Sequence, residues 1–209
     1  MGSEMCIRDS STLTLYSAAA AYEKTVFAEW DKPSINVFYV LPQEVNDQTE
    51  ILFIIHGNSR NADGYIEVWA NYAKDKNIIL IAPEFSRSKF SNYNTLQMSS
   101  STGKILKNRD LYLNNSIDIM FNHYKNLFGV KTDLYKIYGH SAGAQFVQRY
   151  LLMSDEPKVK TAVAANAGWY TFLDGGSFPY GLKEPPMGLT SRNISCLLYT
   201  SPSPRDLST

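Results

Sequence analysis

Gly139-His140-Ser141-Ala142-Gly143 is the stretch of this chain best equipped for covalent chemistry. It sets one hydroxyl between two glycines, in the pattern G-x-S-x-G. A serine hydroxyl attacks a carbonyl only when a base withdraws its proton and donors receive the oxyanion that forms. The surrounding residues address the second need. "DLYKIYG" reads as a strand leading into the pattern. "SAGAQFVQRYLLM" reads as a helix leaving it, with Ala142, Phe146, Tyr150 and Met153 on one face. A turn this sharp strains the serine backbone, and it needs glycine on both sides so that strand and helix can approach. It also lifts the serine oxygen to the carboxyl edge of a sheet, where the Ala142 N–H and the helix N-terminus face any anion formed there.

A second donor is expected from the loop after an earlier strand. "FIIHGNSRNADGY" fits that place. Gly57 lets its backbone swing close, and the N–H of Asn58 is expected to face the oxyanion, with that of Ser59 as the alternative.

The elements needed to position these groups follow from the hydrophobic pattern. "INVFYVL" is a strand, and "ILFIIHG" is a short apolar run of the kind buried on both faces of a sheet. "NADGYIEVWANYAKDKN" puts Ile66, Trp69, Ala70 and Ala73 on one helical stripe, with Asn61 or Asp63 as caps. "IILIAPE" is the next buried strand, closed by Pro83. From Ser86 to Lys107 the chain is polar and aperiodic, which suggests a lid or a mobile excursion. Helical spacing returns with Leu113, Ile117, Met120, Phe121, Tyr124 and Phe128, and "VKTAVAANAG" is a final strand ending at Gly168. Alternation of strands and helices implies one α/β domain with a mostly parallel sheet.

His56-Gly57, Pro83-Glu84-Phe85-Ser86, the serine pentapeptide and Asn166-Ala167-Gly168-Trp169-Tyr170 together resemble the α/β-hydrolase superfamily. Within it they are similar to serine esterases of the polyhydroxybutyrate-depolymerase and feruloyl-esterase type. The resemblance runs from about Pro33 to Pro186. It implies a three-layer sandwich around a mostly parallel sheet. It also implies a serine nucleophile at Ser141, no metal, no cofactor and a small or polymeric ester as substrate. His56, Glu84, Trp169 and Tyr170 are expected near the substrate cleft.

The chain departs from that family in one respect. The family order is serine, then acid, then histidine. Here all three histidines, His56, His123 and His140, precede Ser141. His140 should point into the sheet beside the elbow, His123 should lie on a solvated helix surface, and His56 should anchor the oxyanion loop. Asp174 reads as a turn residue in "LDGG". The fold is therefore expected to be incomplete at its C-terminus, with the acid and the base in a longer parent and this chain nearly inert. Two other readings stay open: a peptidase or acyl-transferring relative of the same fold, and a non-catalytic α/β binding domain.

Composition narrows the classes further. With 209 residues, 44% of them hydrophobic, the chain can bury a substantial core. Twenty basic residues balance twenty acidic ones, which argues against a nucleic-acid surface. No apolar run is long enough to span a membrane, and no secretory signal is legible. The ends, "MGSEMCIRDS" and "SCLLYTSPSPRDLST", fit no amphipathic period and hold both cysteines, Cys6 and Cys196. They read as translated adapter sequence, with two disordered native tails as the alternative; the first reading divides the chain into a non-native tail at 1–11, the domain at 12–188 and a second non-native tail at 189–209.

Overall fold

The computed structural model describes residues 22–73 and 75–189. Both cysteines and nearly all of the two expected tails lie outside the described residues.

Six strands form one sheet in the order β1-β2-β4-β3-β5-β6. The strands are β1 (Glu23–Phe27), β2 (Ile35–Val40), β3 (Glu50–Ile55), β4 (Ile78–Glu84), β5 (Tyr135–His140) and β6 (Val159–Ala165). β4, β3, β5 and β6 run parallel, and β1 and β2 pair antiparallel at one edge. The helices are α1 (Ala62–Ala73), α2 (Ser116–Leu127) and α3 (Ala142–Met153). The sheet is therefore mixed and mostly parallel, as expected.

The apolar runs explain the layering. Ile51, Phe53 and Ile55 of β3 point to one face, where they meet Ile117, Met120 and Phe121 of α2 and Phe146 and Val147 of α3. Leu52 and Ile54 point to the other face, where they meet Ala62, Ile66 and Ala70 of α1. Side chains of alternate strand residues point to opposite faces, so a strand apolar throughout needs cover on both. Each such buried side chain contributes about 1.5–3 kcal/mol.

Four expectations are corrected. β1 escaped the sequence reading because only Phe27 of its residues is fully buried. Pro83 lies inside β4, opposite Val37, and the strand runs one residue further. The stretch after β4 is packed rather than lid-like. Phe90, Tyr93, Leu96 and Met98 are buried at irregular spacing, around a 3₁₀ turn at Tyr93–Thr95. Some of its polar groups bond within it: Thr95 Oγ1 donates to Ser99 O, and Asn92 N–H donates to Gln97 Oε1. Finally, α3 is buried on every side rather than along one face. The sheet covers its apolar side, and the loops holding Asn94 and Thr171 cover the other.

Candidate active site

Ser141 joins β5 to α3 with φ 56° and ψ −116°. That conformation is costly for a residue with a Cβ, at about 1–3 kcal/mol. Its surroundings enforce it. The Ser141 N–H donates to Ala165 O of β6 at 2.9 Å, and Ala144 N–H and Gln145 N–H donate back to Ser141 O at 3.1 and 3.2 Å. Strand pairing on one side and the first helical turn on the other thus hold the residue. Its side chain is half-buried and caps nothing.

Both flanking glycines are steric necessities. A Cβ on Gly139 would lie 2.7 Å from Val147 Cγ2 and collide with the Gly143 carbonyl. A Cβ on Gly143 would lie 2.6 Å from His56 O and collide with Ile55 O. Helix α3 therefore starts in contact with the backbone of two strands, β5 and β3. Ala142 opens that helix, so its N–H has no intrahelical acceptor.

The loop after β3 lies against the elbow. A Cβ on Gly57 would sit 3.6 Å from Ser141 Cβ and 3.6 Å from His140 O. Asn58 and Ser59 follow, both exposed, and Arg60 turns the chain with φ 62°. His56 pins the loop from beneath. Its Nε2 accepts the Phe85 N–H at 3.0 Å, so its Nδ1–H is the donor to Gly57 O at 2.9 Å. Burial pulls this imidazole down to about 4 and keeps it neutral. Tyr93 OH donates to His56 O at 2.7 Å from the packed stretch after β4.

Comparison with solved structures places this architecture. The chain is 36% identical to poly(aspartic acid) hydrolase-1 from Sphingomonas sp. KT-1, with a TM-score of 0.76. That match covers 86% of this chain and 68% of the other. The chain belongs to the α/β-hydrolase superfamily. A poly(3-hydroxybutyrate) depolymerase from Bordetella parapertussis shares the fold at 23% identity and a TM-score of 0.73, over 85% of this chain and 62% of that one. A fluorophosphonate-binding serine hydrolase from Staphylococcus aureus shares it at 15% identity and a TM-score of 0.56, over 85% of this chain and 72% of that one. No protein-family model and no curated protein matches the chain.

In this α/β-hydrolase the three imidazoles are all engaged away from Ser141. His140 is half-buried, and its Nδ1 lies 2.7 Å from Tyr65 OH of α1. His123 is half-buried rather than fully solvated: it packs edge-on against Phe27 and Tyr124 at 5.1 and 4.9 Å. His56 has both nitrogens occupied by backbone, as described. Asp174 closes a turn, its Oδ1 accepting the Gly176 N–H at 2.9 Å.

The remaining expected residues are spread out. Glu84 turns toward β2, where its Oε2 accepts from Asn36 Nδ2 at 2.7 Å. Tyr170 OH donates back to Ala164 O of β6 at 3.2 Å. Trp169 lies between the Tyr180 ring, at 4.4 Å, and the guanidinium of Arg149, at 4.2 Å.

Two buried arginines were not singled out from the sequence. Arg149 donates to Asn94 O and Gln145 O through Nη1 and to Pro179 O through Nη2, at 2.8, 3.2 and 3.2 Å. Burial lowers it to about 9, still charged at neutral pH. Arg60 donates to Phe85 O, Phe90 O and Ser91 O, with its guanidinium 4.1 Å from the Tyr93 ring centre. A charge embedded in "QFVQRYLLM" was the available signal for the first.

Proposed function

We propose that Ser141 is the nucleophile of a serine hydrolase acting on carboxylic esters. The observation that carries this reading is the strained serine at a strand-to-helix junction whose two glycines touch neighbouring backbone. In the reaction Ser141 Oγ attacks the acyl carbon. The carbonyl oxygen becomes an oxyanion, received by the N–H groups of Ala142 and Asn58, with the α3 N-terminus adding its dipole. A base takes the Ser141 proton and returns it to the leaving alkoxide as the acyl C–O bond breaks; water, deprotonated by the same base, then attacks the acyl-enzyme, and Ser141 Oγ leaves with that proton as the acid is released. The 36% identity with a poly(aspartic acid) hydrolase supports a second reading, in which the acyl bond lies in an acidic polymer.

Attack needs a base, and each imidazole of this sequence is held elsewhere. We assign the acid and the base to a longer parent protein, in line with the partial coverage of the relatives. The present chain then keeps only the roughly 10³–10⁴-fold advantage over water that donors and binding supply. It should turn over p-nitrophenyl acetate barely above background and resist a fluorophosphonate probe. Strong labelling of Ser141 in this chain would overturn the inactivity. In the parent, Ser141→Ala should remove at least about 10⁴-fold of kcat. Unchanged turnover in that variant would remove Ser141 from the chemistry.

A further inference from the structure

Charge compensation is uneven across this molecule. The described residues hold five ion pairs, and lysine supplies every cation. None of the described arginines, Arg60, Arg87, Arg109 and Arg149, pairs with a carboxylate. Three of the four belong to the layers around the elbow. Arg60 stands at the end of the oxyanion loop. Arg149 projects from the serine helix and carries Trp169. Both are buried, their partners are carbonyls and aromatic faces alone, and the Nε of each has no hydrogen-bond partner among the described residues. An uncompensated buried cation is expensive, and in a low-dielectric setting its field reaches further than it would in water.

Arg87 is the exposed member of the set. It lies on the loop after β4 and donates through Nη2 to the Asn58 carbonyl at 3.2 Å. Asn58 follows Gly57, the residue that abuts Ser141. The guanidinium of this exposed residue is thus anchored beside the elbow through one of its five N–H groups. Glu84, three positions earlier in the chain, is committed to Asn36. A preorganised guanidinium fork is suited to gripping a carboxylate through two parallel hydrogen bonds.

We propose that Arg87 is a substrate-binding residue that grips a carboxylate carried by the substrate next to the scissile acyl group. The selected substrate class is then acidic: an acyl compound or polymer with a free carboxylate close to the bond that breaks. The proposal rests on the reading of Ser141 as the reacting centre. Arg60 and Arg149 contribute the positive field behind Arg87, and Arg87 supplies the contact.

Binding tests this without turnover, so it can be run on the chain as it exists. Rhodamine-labelled oligo(aspartic acid) and oligo(asparagine) of equal length are titrated by fluorescence anisotropy, with succinate as a competitor. The acidic oligomer should bind at least about tenfold more tightly than the neutral one, and Arg87→Gln should erase about tenfold of that affinity. Lys131→Gln removes the same charge at the opposite end of the sheet and should leave affinity within about twofold. Competition by succinate at millimolar concentration would show that a lone dicarboxylate suffices; its failure to compete would assign the site to the polymer. Either result leaves Arg87 as the contact. Equal binding of the two oligomers, no binding of either, or an Arg87→Gln affinity within twofold of the parent value would each overturn the proposal. Because Ser141 takes no part in this measurement, a failed binding test beside an active parent hydrolase sinks only Arg87. Retained acidic binding beside an unreactive Ser141 sinks only the nucleophile.

Discussion

The two ends of the parallel strands are built on opposite principles. At the N-terminal end, Glu50 opens β3 and bonds Lys136 of β5 at 2.6 Å and Lys160 of β6 at 2.8 Å. Lys131 pairs with Asp47 and Lys125 with Asp133 in the same layer. At the C-terminal end stand a serine with φ 56°, two glycines that tolerate no Cβ, a buried neutral histidine and arginines without acids. Glu50, Lys131 and Lys125 are paired at the first end, whereas the second holds arginines without carboxylate partners and the strained backbone of Ser141. Strain and unmatched charge cost stability, and folds retain them where ligands meet the carboxyl ends of their strands.

The largest effect should come from the elbow glycines. Gly143→Ala drives a methyl into Ile55 O and His56 O, both backbone atoms that cannot rotate away. A loss of about 3 kcal/mol or more in urea unfolding is expected, at the upper end of overpacking costs. A loss below about 1 kcal/mol would mean that the helix start can slide.

Acid should act next, through His56. Its imidazole is lowered from 6.5 to about 4, chiefly by burial. Above pH 6.5 it is neutral in both the folded and the unfolded chain. Between 6.5 and 4 the unfolded chain takes up a proton that the folded one refuses. Stability therefore falls as pH falls through that window, by about 3 kcal/mol in total. Urea midpoints at pH 7 and pH 4.5 should converge in His56→Gln relative to the parent. Parallel pH slopes in the two proteins would show that His56 is not the group responsible.

The smallest pair of effects should have opposite signs. Ser141→Gly relieves the backbone strain and should raise stability by about 1 kcal/mol, net of the glycine's extra unfolded freedom. Glu50→Gln removes two partly exposed ion pairs and should lower it by about 1 kcal/mol or less, with the difference fading in high salt. If Ser141→Gly instead destabilises, the strain assigned to the C-terminal end is absent and the contrast between the two ends narrows.

Legibility in the sequence followed the range of the interactions. The elbow was readable because strand, turn and helix are contiguous, and each signals itself through its own period and its glycines. The β3 and β4 runs were readable because a strand buried on both faces has no polar alternation. β1 was not, since its half-polar residues become a strand only by pairing with β2. The stretch after β4 was misjudged for a related reason. Its serines and asparagines signal a loop, while Phe90, Tyr93, Leu96 and Met98 are buried by neighbours that no periodicity reveals.

Local order along the chain thus determined an α/β domain, a serine held between two glycines, and the absence of any histidine after it. These follow from residue type and spacing, which act over a few bonds. Tertiary structure alone decided what each imidazole does: His56 meets Phe85, 29 residues away, and His140 meets Tyr65, 75 residues away. It alone decided that Arg149 is enclosed and that Arg87 reaches Asn58. Burial and hydrogen-bond partners are properties of folded space, and a side chain's charge, tautomer and neighbours are set only once distant segments share one layer.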